Sequence, residues 1–205
     1  MSVIEAIDDP VEPWGPRTAR ADASLRLGAE LRAAEAELAR LRAALAQAEA
    51  VAERDPLTGL LNRRGFDREL ARVLAGCRRY GGEASLIYLD LDGFKAVNDH
   101  FGHAAGDKAL IAVAGVLSAA VRESDVVARL GGDEFAVILS HAGRAAAEQK
   151  AASLARAVSS TPVEPGGPIK LSFGVRSFEP GLEARQMVAE ADAAMFLHKG
   201  ARRRT

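Results

Sequence analysis

The stretch Asp125-Val-Val-Ala-Arg-Leu-Gly-Gly-Asp-Glu-Phe-Ala-Val-Ile-Leu139 joins two apolar, β-patterned runs through Gly131 and Gly132. Glycine takes positive φ without steric cost, so the pair predicts a hairpin turn. Two acids, Asp133 and Glu134, follow directly. Neighbouring carboxylates repel, and a solvated turn has no need of them. A second acidic pair, Asp90 and Asp92, follows another apolar run, Ala84 to Leu89. Two strand ends that both carry carboxylates suit a hard, oxygen-seeking divalent cation. Asp90, Asp133 and Glu134 are expected to converge, because such a cluster is destabilising unless a cation neutralises it. Mg2+ takes one or two carboxylates and completes its shell with phosphate oxygens, which points to a nucleoside triphosphate. Lys95, Lys199 and Arg203 are placed to meet the phosphates. This is the logic of polymerase palms, in which one ion activates a hydroxyl and a second steadies the triphosphate.

The chain has 205 residues, 48% of them hydrophobic, enough for one packed domain with an extension. Its net charge of −1 provides no basic face for non-specific nucleic-acid binding, so no nucleic-acid partner is expected. The single cysteine, Cys77, excludes an intrachain disulfide framework. The first residues have neither a basic nor an apolar leader region, and no run reaches the ~18 apolar residues of a membrane span. A soluble, cytoplasmic protein is expected.

Residues 1–22 hold three of the eight prolines and the only tryptophan, Trp14, and are expected to be a disordered tail. Residues 23–54 are rich in Ala, Leu, Glu and Arg. Leu31, Leu38 and Leu45 recur every seventh position, with Ala34, Leu41 and Ala48 between them. That a/d seam predicts a coiled-coil helix about 48 Å long, weakened by its alanines and pairing two chains in parallel. Residues 55–205 read as one domain. Helices are expected over residues 66–80, 94–100, 106–121, 144–159 and 182–199. Strands are expected over residues 84–89 and 169–175 and in the hairpin. The order suits an α+β fold of the α/β class: a ferredoxin-like, polymerase-palm core. Its sheet should be mostly antiparallel and five-stranded, flanked by helices gathered on one face.

Six stretches occur in order across this domain: Asp55-Pro-Leu-Thr-Gly-Leu-Leu-Asn-Arg-Arg64, Asp90-Leu-Asp-Gly-Phe-Lys-Ala-Val-Asn-Asp99, Phe101-Gly-His-Ala-Ala-Gly-Asp107, Arg129 to Phe135, Ser172-Phe-Gly-Val175, and Ala191-Asp192 through Lys199. On these residues the chain resembles the GGDEF diguanylate cyclases. The resemblance implies that two GTP molecules condense to cyclic di-GMP with release of two pyrophosphates, across a homodimer in which each domain holds one GTP. It implies Mg2+, with Mn2+ as an alternative, held by Asp90, the Leu91 carbonyl and Asp133. Asp133 and Glu134 are the two candidates for activating the 3′-hydroxyl. Asn98 and Asp107 match the guanine-reading positions; a carboxylate accepts from guanine N1–H and N2–H2, which adenine does not offer. Lys95, Lys199 and Arg203 match phosphate contacts, with the backbone at Gly93 and Phe94. Arg129 is expected to stabilise charge near the reaction centre. Arg122-Glu-Ser-Asp125 matches the family's Arg-x-x-Asp product-inhibition motif, with a second arginine still to be found. Regulation could come through the N-terminal tail, through a partner or only through product, and the working expectation is a constitutive cyclase inhibited by its product.

Plainer roles exist for several of these residues. Asp107 could cap a helix beginning at Gly106, Asn98 could cap a short one, and Arg122 could pair with Asp125 on the surface. His103 has no neighbour at metal-ligand spacing, so a structural hydrogen bond is expected. Asp92 is expected to orient its loop, and Asp55, Asn62 and Arg63 to pin the junction before the domain. The chain departs from the family at Leu130, where an aromatic is usual, at His198, and at Arg202 and Arg204. Two rival functions are an idle domain that binds cyclic di-GMP, and a relaxed cyclase that also accepts adenine.

Overall fold

The structure is a computed structural model and describes residues 15–163 and 167–202. Trp14 and Arg203 lie outside the described residues. The chain divides into two compact units, Met1–Ala50 and Val51–Thr205.

The first unit contains most of α1 (Gly15–Ala52). This helix begins inside the stretch expected as a tail. Proline is tolerated in a first helical turn, so Pro16 does not delay it, and the following Ala and Arg residues are strong helix formers. Leu31, Leu38, Leu41 and Leu45 are between 47% and 60% exposed, so the seam is open to solvent among the described residues. No helix among the described residues is long and apolar enough to cross a membrane.

The second unit continues with α2 (Arg63–Tyr80), β1 (Ala84–Asp92), α3 (Phe94–Phe101), α4 (His103–Ala119), β2 (Val126–Gly131), β3 (Glu134–Ser140), α5 (Arg144–Ser159), β4 (Lys170–Ser177) and α6 (Ala184–Arg202). The described strands form one sheet in the order β2-β3-β1-β4, and every adjacent pair is antiparallel. It has four strands, where five were expected. At the β2 edge, Leu61 adds only a single bridge to Ala128. The surrounding Asp55–Asn62 loop is rich in turn formers and does not extend that pairing.

Helices cover both faces of the sheet, not one. Ile87, Leu89 and Leu91 of β1 pack with Leu110, Val113 and Leu117 of α4 and with Ala147, Ala151 and Leu154 of α5. Leu86 and Tyr88 pack on the opposite side with Phe66, Leu70 and Leu74 of α2 and with Met187, Ala191 and Met195 of α6. Successive strand side chains point to opposite faces. The unbroken apolar run of β1 therefore requires a layer on each side.

The hairpin turn lies one residue later than the glycine pair suggests. Gly131 pairs with Glu134, so Gly132 and Asp133 form the two-residue loop. Gly132 has φ 51° and Asp133 keeps a negative φ. A positive φ at the first central residue alone matches a type II′ turn, which favours glycine there. Asp133 thus sits at the tip of the turn, and Glu134 opens β3.

Candidate functional site

Antiparallel register brings the acids together. Asp90 of β1 stands opposite Glu134 of β3, and the Leu91 N–H donates to the Asp133 carbonyl at 3.2 Å. The strand end and the hairpin tip therefore meet. Burial pushes the Asp90 carboxyl above its usual value, and the negative charges of Asp133 and Asp92 add to this. Lys199, reaching over from α6, pulls the other way as the ion-pair partner of Asp90. Asp92 points elsewhere: it accepts a hydrogen bond from the Ser172 hydroxyl at 2.7 Å, in keeping with an orienting role.

Among the described residues, no three His, Cys, Asp or Glu side chains form a self-contained metal cage. Asp90 and Asp133 are instead a two-carboxylate set. Together with a strand-end carbonyl, that donor set fits Mg2+, which leaves part of its shell to phosphate and water.

The corner beyond β1 holds the remaining candidates. Gly93 has φ 78° and leads into α3, so the first N–H groups of that helix are free to meet an anion. Phe94 packs against the core, and Lys95 is exposed on the first turn. Asn98 lies inside α3, and the helix ends where Gly102 N–H donates to the Asn98 carbonyl at 2.9 Å. It caps no helix N-terminus. Nor does Asp107, because α4 starts at His103. The elbow between α3 and α4 lays the Asn98 carboxamide against Gly106, immediately before the exposed Asp107. His103 is exposed at the start of α4.

Arg129 is engaged in bracing. Its Nε and Nη2 donate to the Gly132 carbonyl at 3.0 and 2.8 Å, and its Nη1 contacts both Asp55 carboxylate oxygens at 3.2 Å. Asp55 also accepts from the Thr58 N–H at 2.9 Å and the Thr58 hydroxyl at 2.6 Å. Asn62 caps α2 through Gly65 N–H, and its amide donates to the Ala52 carbonyl at 2.8 Å. Asp55 and Asn62 thus hold the loop before α2, as expected, and Asp55 extends that hold to the hairpin.

Arg63 departs from that expectation. Its guanidinium lies 3.7 Å from the Glu134 carboxylate. Tyr88, only 3% exposed, shares this environment. Burial pushes its phenol up to about 12; the Glu134 charge adds to the rise and Arg63 opposes it. Tyr88 and Arg63 were missed as neighbours of the site. The available signal was a polar-tipped residue in an aliphatic strand, two positions before Asp90 and so on the same face.

Burial alone would raise the Asp55 carboxyl, but hydrogen bonds from Thr58 and Arg129 outweigh it and hold it below its usual value. A depressed carboxyl stabilises the fold above its unfolded pKa and loses that contribution as pH falls through the folded one. Asp55→Asn should therefore cost about 2 kcal/mol at neutral pH, since it leaves the mostly buried Arg129 without its counter-charge. The difference from wild type should shrink below pH 4. Urea denaturation at pH 7 and at pH 3.5 measures both; an equal difference at the two pH values would refute the electrostatic account.

A second feature lies on the far side of β3. Asp125 accepts from the Arg122 N–H at 3.1 Å and from the Ser140 N–H at 3.2 Å. The two side chains form no ion pair with each other among the described residues, because the carboxylate is occupied by backbone donors. They line a cavity of about 430 Å³ with His141, Gln149, Lys150 and Arg156. Lys150 donates to the Ala120 carbonyl at 3.0 Å, just past the end of α4. Arg156 is exposed on α5 and lines the same cavity.

His198 also finds an explanation. Its Nδ1 accepts from the Phe173 N–H at 3.3 Å, and its ring lies 4.4 Å from that of Phe173. It thereby caps a backbone donor of the edge strand β4.

Comparison with known proteins places this geometry. The model of the family described as "Diguanylate cyclase, GGDEF domain" matches residues 52–205. The diguanylate cyclase DgcP of Pseudomonas aeruginosa is 42% identical over 153 residues, covering 73% of this chain and 23% of that protein. VdcA of Vibrio cholerae is 35% identical over 176 residues, covering 83% of this chain and 51% of its own length. The chain thus spans between about a quarter and a half of these relatives. The crystal structure of the coiled coil and GGDEF domain of DgcB from Caulobacter crescentus, in complex with c-di-GMP, superposes with a TM-score of 0.73 at 32% identity, covering 85% of this chain and 95% of that one. Diguanylate cyclase SiaD of Pseudomonas aeruginosa, solved with its activator SiaC, superposes with a TM-score of 0.70, also at 32% identity, over 90% of this chain and 75% of that one. With its hairpin acids opposite Asp90 and the family's motifs in order along the chain, the protein belongs to the GGDEF diguanylate cyclase family.

Proposed function

We propose that this chain is a diguanylate cyclase that joins two GTP molecules into cyclic di-GMP across a homodimer. The observation that carries the reading is the meeting of the β1 end and the hairpin tip, which places Asp90, Leu91, Asp133 and Glu134 around one point beside Lys199. Asp90, the Leu91 carbonyl and Asp133 would hold Mg2+ or Mn2+, which when bound neutralises phosphate charge and lowers the pKa of a coordinated hydroxyl. Lys199 and Lys95 contact the phosphates, with the free N–H groups at Gly93 and Phe94 and with Arg203. Asn98 and Asp107 read guanine from the corner between α3 and α4. The 3′-hydroxyl on the facing subunit loses its proton to Glu134 or Asp133, its oxygen attacks the α-phosphorus, and pyrophosphate leaves. Arg129 acts indirectly, by holding the Gly132 carbonyl and so the tip that carries Asp133.

One domain supplies half of such a site. The exposed leucines of α1 favour a coiled coil, taken as parallel, as the device that brings in the second copy, and tethering of this kind raises local concentration towards the mM range. The proposed organisation is a dimerisation helix within α1, which starts at Gly15, followed by a residue 55–205 catalytic domain. The test is cyclic di-GMP formation from GTP and Mg2+, separated by chromatography, for the full chain and for a chain beginning at Val51. Both should make product at micromolar concentration, and only the full chain should hold its specific activity at nanomolar dilution. Absence of product from the dimeric full chain would overturn the cyclase reading, and equal dilution curves would overturn the coiled-coil one.

The cavity beside Arg122 supports the inhibitory reading. The Arg122 guanidinium can bind a guanine edge bidentately, Asp125 is already oriented by two N–H groups, and Arg156 faces the same space. Arg122→Ala should raise the product concentration needed for half-inhibition at least tenfold without lowering the initial rate. Progress curves with added cyclic di-GMP measure this, and an unchanged half-inhibition point would remove the site.

A further inference from the structure

We propose that Gly106 is a positioning residue for nucleotide recognition: its missing Cβ is the space in which α4 receives the Asn98 carboxamide, one residue ahead of Asp107. The inference rests on the reading that Asn98 and Asp107 recognise guanine. A Cβ at residue 106 would stand 2.0 Å from Asn98 Oδ1, 2.9 Å from its Cγ and 3.2 Å from Phe94 Cζ. No side chain at residue 106 can share that place with Asn98 in its present rotamer.

Backbone geometry does not explain the glycine. Gly106 lies in the second turn of α4 with an ordinary helical φ, unlike Gly93 and Gly102. Glycine is the poorest helix former after proline, so at this buried interior position it works against the element that contains it. Packing against Asn98 is what it gains. The Gly106 backbone limits drift of the carboxamide towards α4, and the Asn98 backbone is held at its carbonyl by the Gly102 N–H. Asp107 follows Gly106 directly and is exposed beside that contact. A carboxamide N–H can donate to guanine O6 while a carboxylate accepts from guanine N1–H and N2–H2, a combination that adenine does not match.

The direction of the effect separates this from a structural role. The obstructing atoms are the tips of two side chains, not backbone, so alanine displaces Asn98 by rotation and leaves the helices in place. Alanine also favours the helix. Gly106→Ala should therefore unfold at the same or a higher temperature, while its KM for GTP rises about tenfold, the cost of one lost hydrogen bond, with kcat within about twofold. Because the effect runs through Asn98, Asn98→Ala should raise KM alone, and the double variant should be no worse than Asn98→Ala. The experiment is steady-state kinetics with GTP on the full chain and these three variants, with thermal unfolding of each. If Asn98→Ala raises KM but Gly106→Ala does not, the role given to Gly106 is overturned and guanine recognition by Asn98 stands. If Asn98→Ala leaves KM unchanged, the recognition reading falls and takes this one with it. A lowered unfolding temperature in Gly106→Ala would show a structural glycine and overturn the proposal.

Discussion

Asp133→Ala should lower cyclic di-GMP formation by about a thousandfold or more while the domain stays folded. The size follows from what one side chain is asked to do. Asp133 is one of two carboxylates proposed to hold the ion, and it is a candidate to receive the 3′-hydroxyl proton. Losing several kcal/mol of transition-state stabilisation corresponds to a factor of about 1,000 or more in rate. Stability should be kept because the turn does not depend on this side chain. The bonds that fix it run through backbone: Leu91 N–H to the Asp133 carbonyl, and the Arg129 guanidinium to the Gly132 carbonyl. Removing the carboxylate also relieves Asp90, whose carboxyl is raised partly by the Asp133 charge. The variant should therefore unfold at or above the wild-type temperature. Chromatographic assay with thermal unfolding measures both, and product at a tenth of the wild-type rate would sink the role assigned here.

The site was legible because its residues stand where periodicity changes. Asp90 and Asp92 follow an apolar run, and Asp133 and Glu134 follow a glycine pair, so strand ends and acids could be read together. What the sequence did not disclose was the second use of the same residues. Arg129 has a charge that suits a reaction centre, yet its Nε, Nη1 and Nη2 are divided between the Asp55 carboxylate and the Gly132 carbonyl. That contact spans 74 positions along the chain, and no local pattern reports it. Arg63 was assigned to the junction because it follows Asn62. Helical geometry turns it towards Glu134 instead, and Tyr88 joins it through the alternation of β1.

The fold was legible to the level of its elements. α5 has the residue bounds that its pattern suggests, Arg144–Ser159, because Gly143 precedes it and Ser160 ends it among polar residues. The layers were harder. Leu86 to Leu89 is apolar at every position, and such a run marks burial on both faces, but helices were assigned to one. The fifth strand was inferred from the fold class and not from a run of residues. At that edge the structure has one bridge, through Leu61.

Gly174→Ala should cost at least about 3 kcal/mol and remove most activity from what remains folded. A Cβ at residue 174 would lie 2.1 Å from the Ala191 carbonyl oxygen, 2.2 Å from the Met195 nitrogen and 2.9 Å from the Ala194 carbonyl carbon. All three are backbone atoms of α6, so no rotamer change can make room, unlike the case at Gly106. The helix would have to retreat by about 1 Å, and overpacking of a well-filled contact costs about 1–3 kcal/mol or more. That retreat pulls Met187, Ala191 and Met195 out of the core they share with α2 and β1. It also withdraws Lys199, the partner of Asp90 on the same helix. Gly115→Ala is the matched control: it lies inside α4, a methyl group there would meet nothing within 4 Å, and helix propensity alone should make the change neutral or stabilising. The denaturant midpoint of Gly174→Ala should fall while that of Gly115→Ala holds or rises. A Gly174→Ala stability within about 0.5 kcal/mol of wild type, on the order of an ordinary surface change, would mean that α6 adjusts freely over β4, and Lys199 could not then owe its place to that contact.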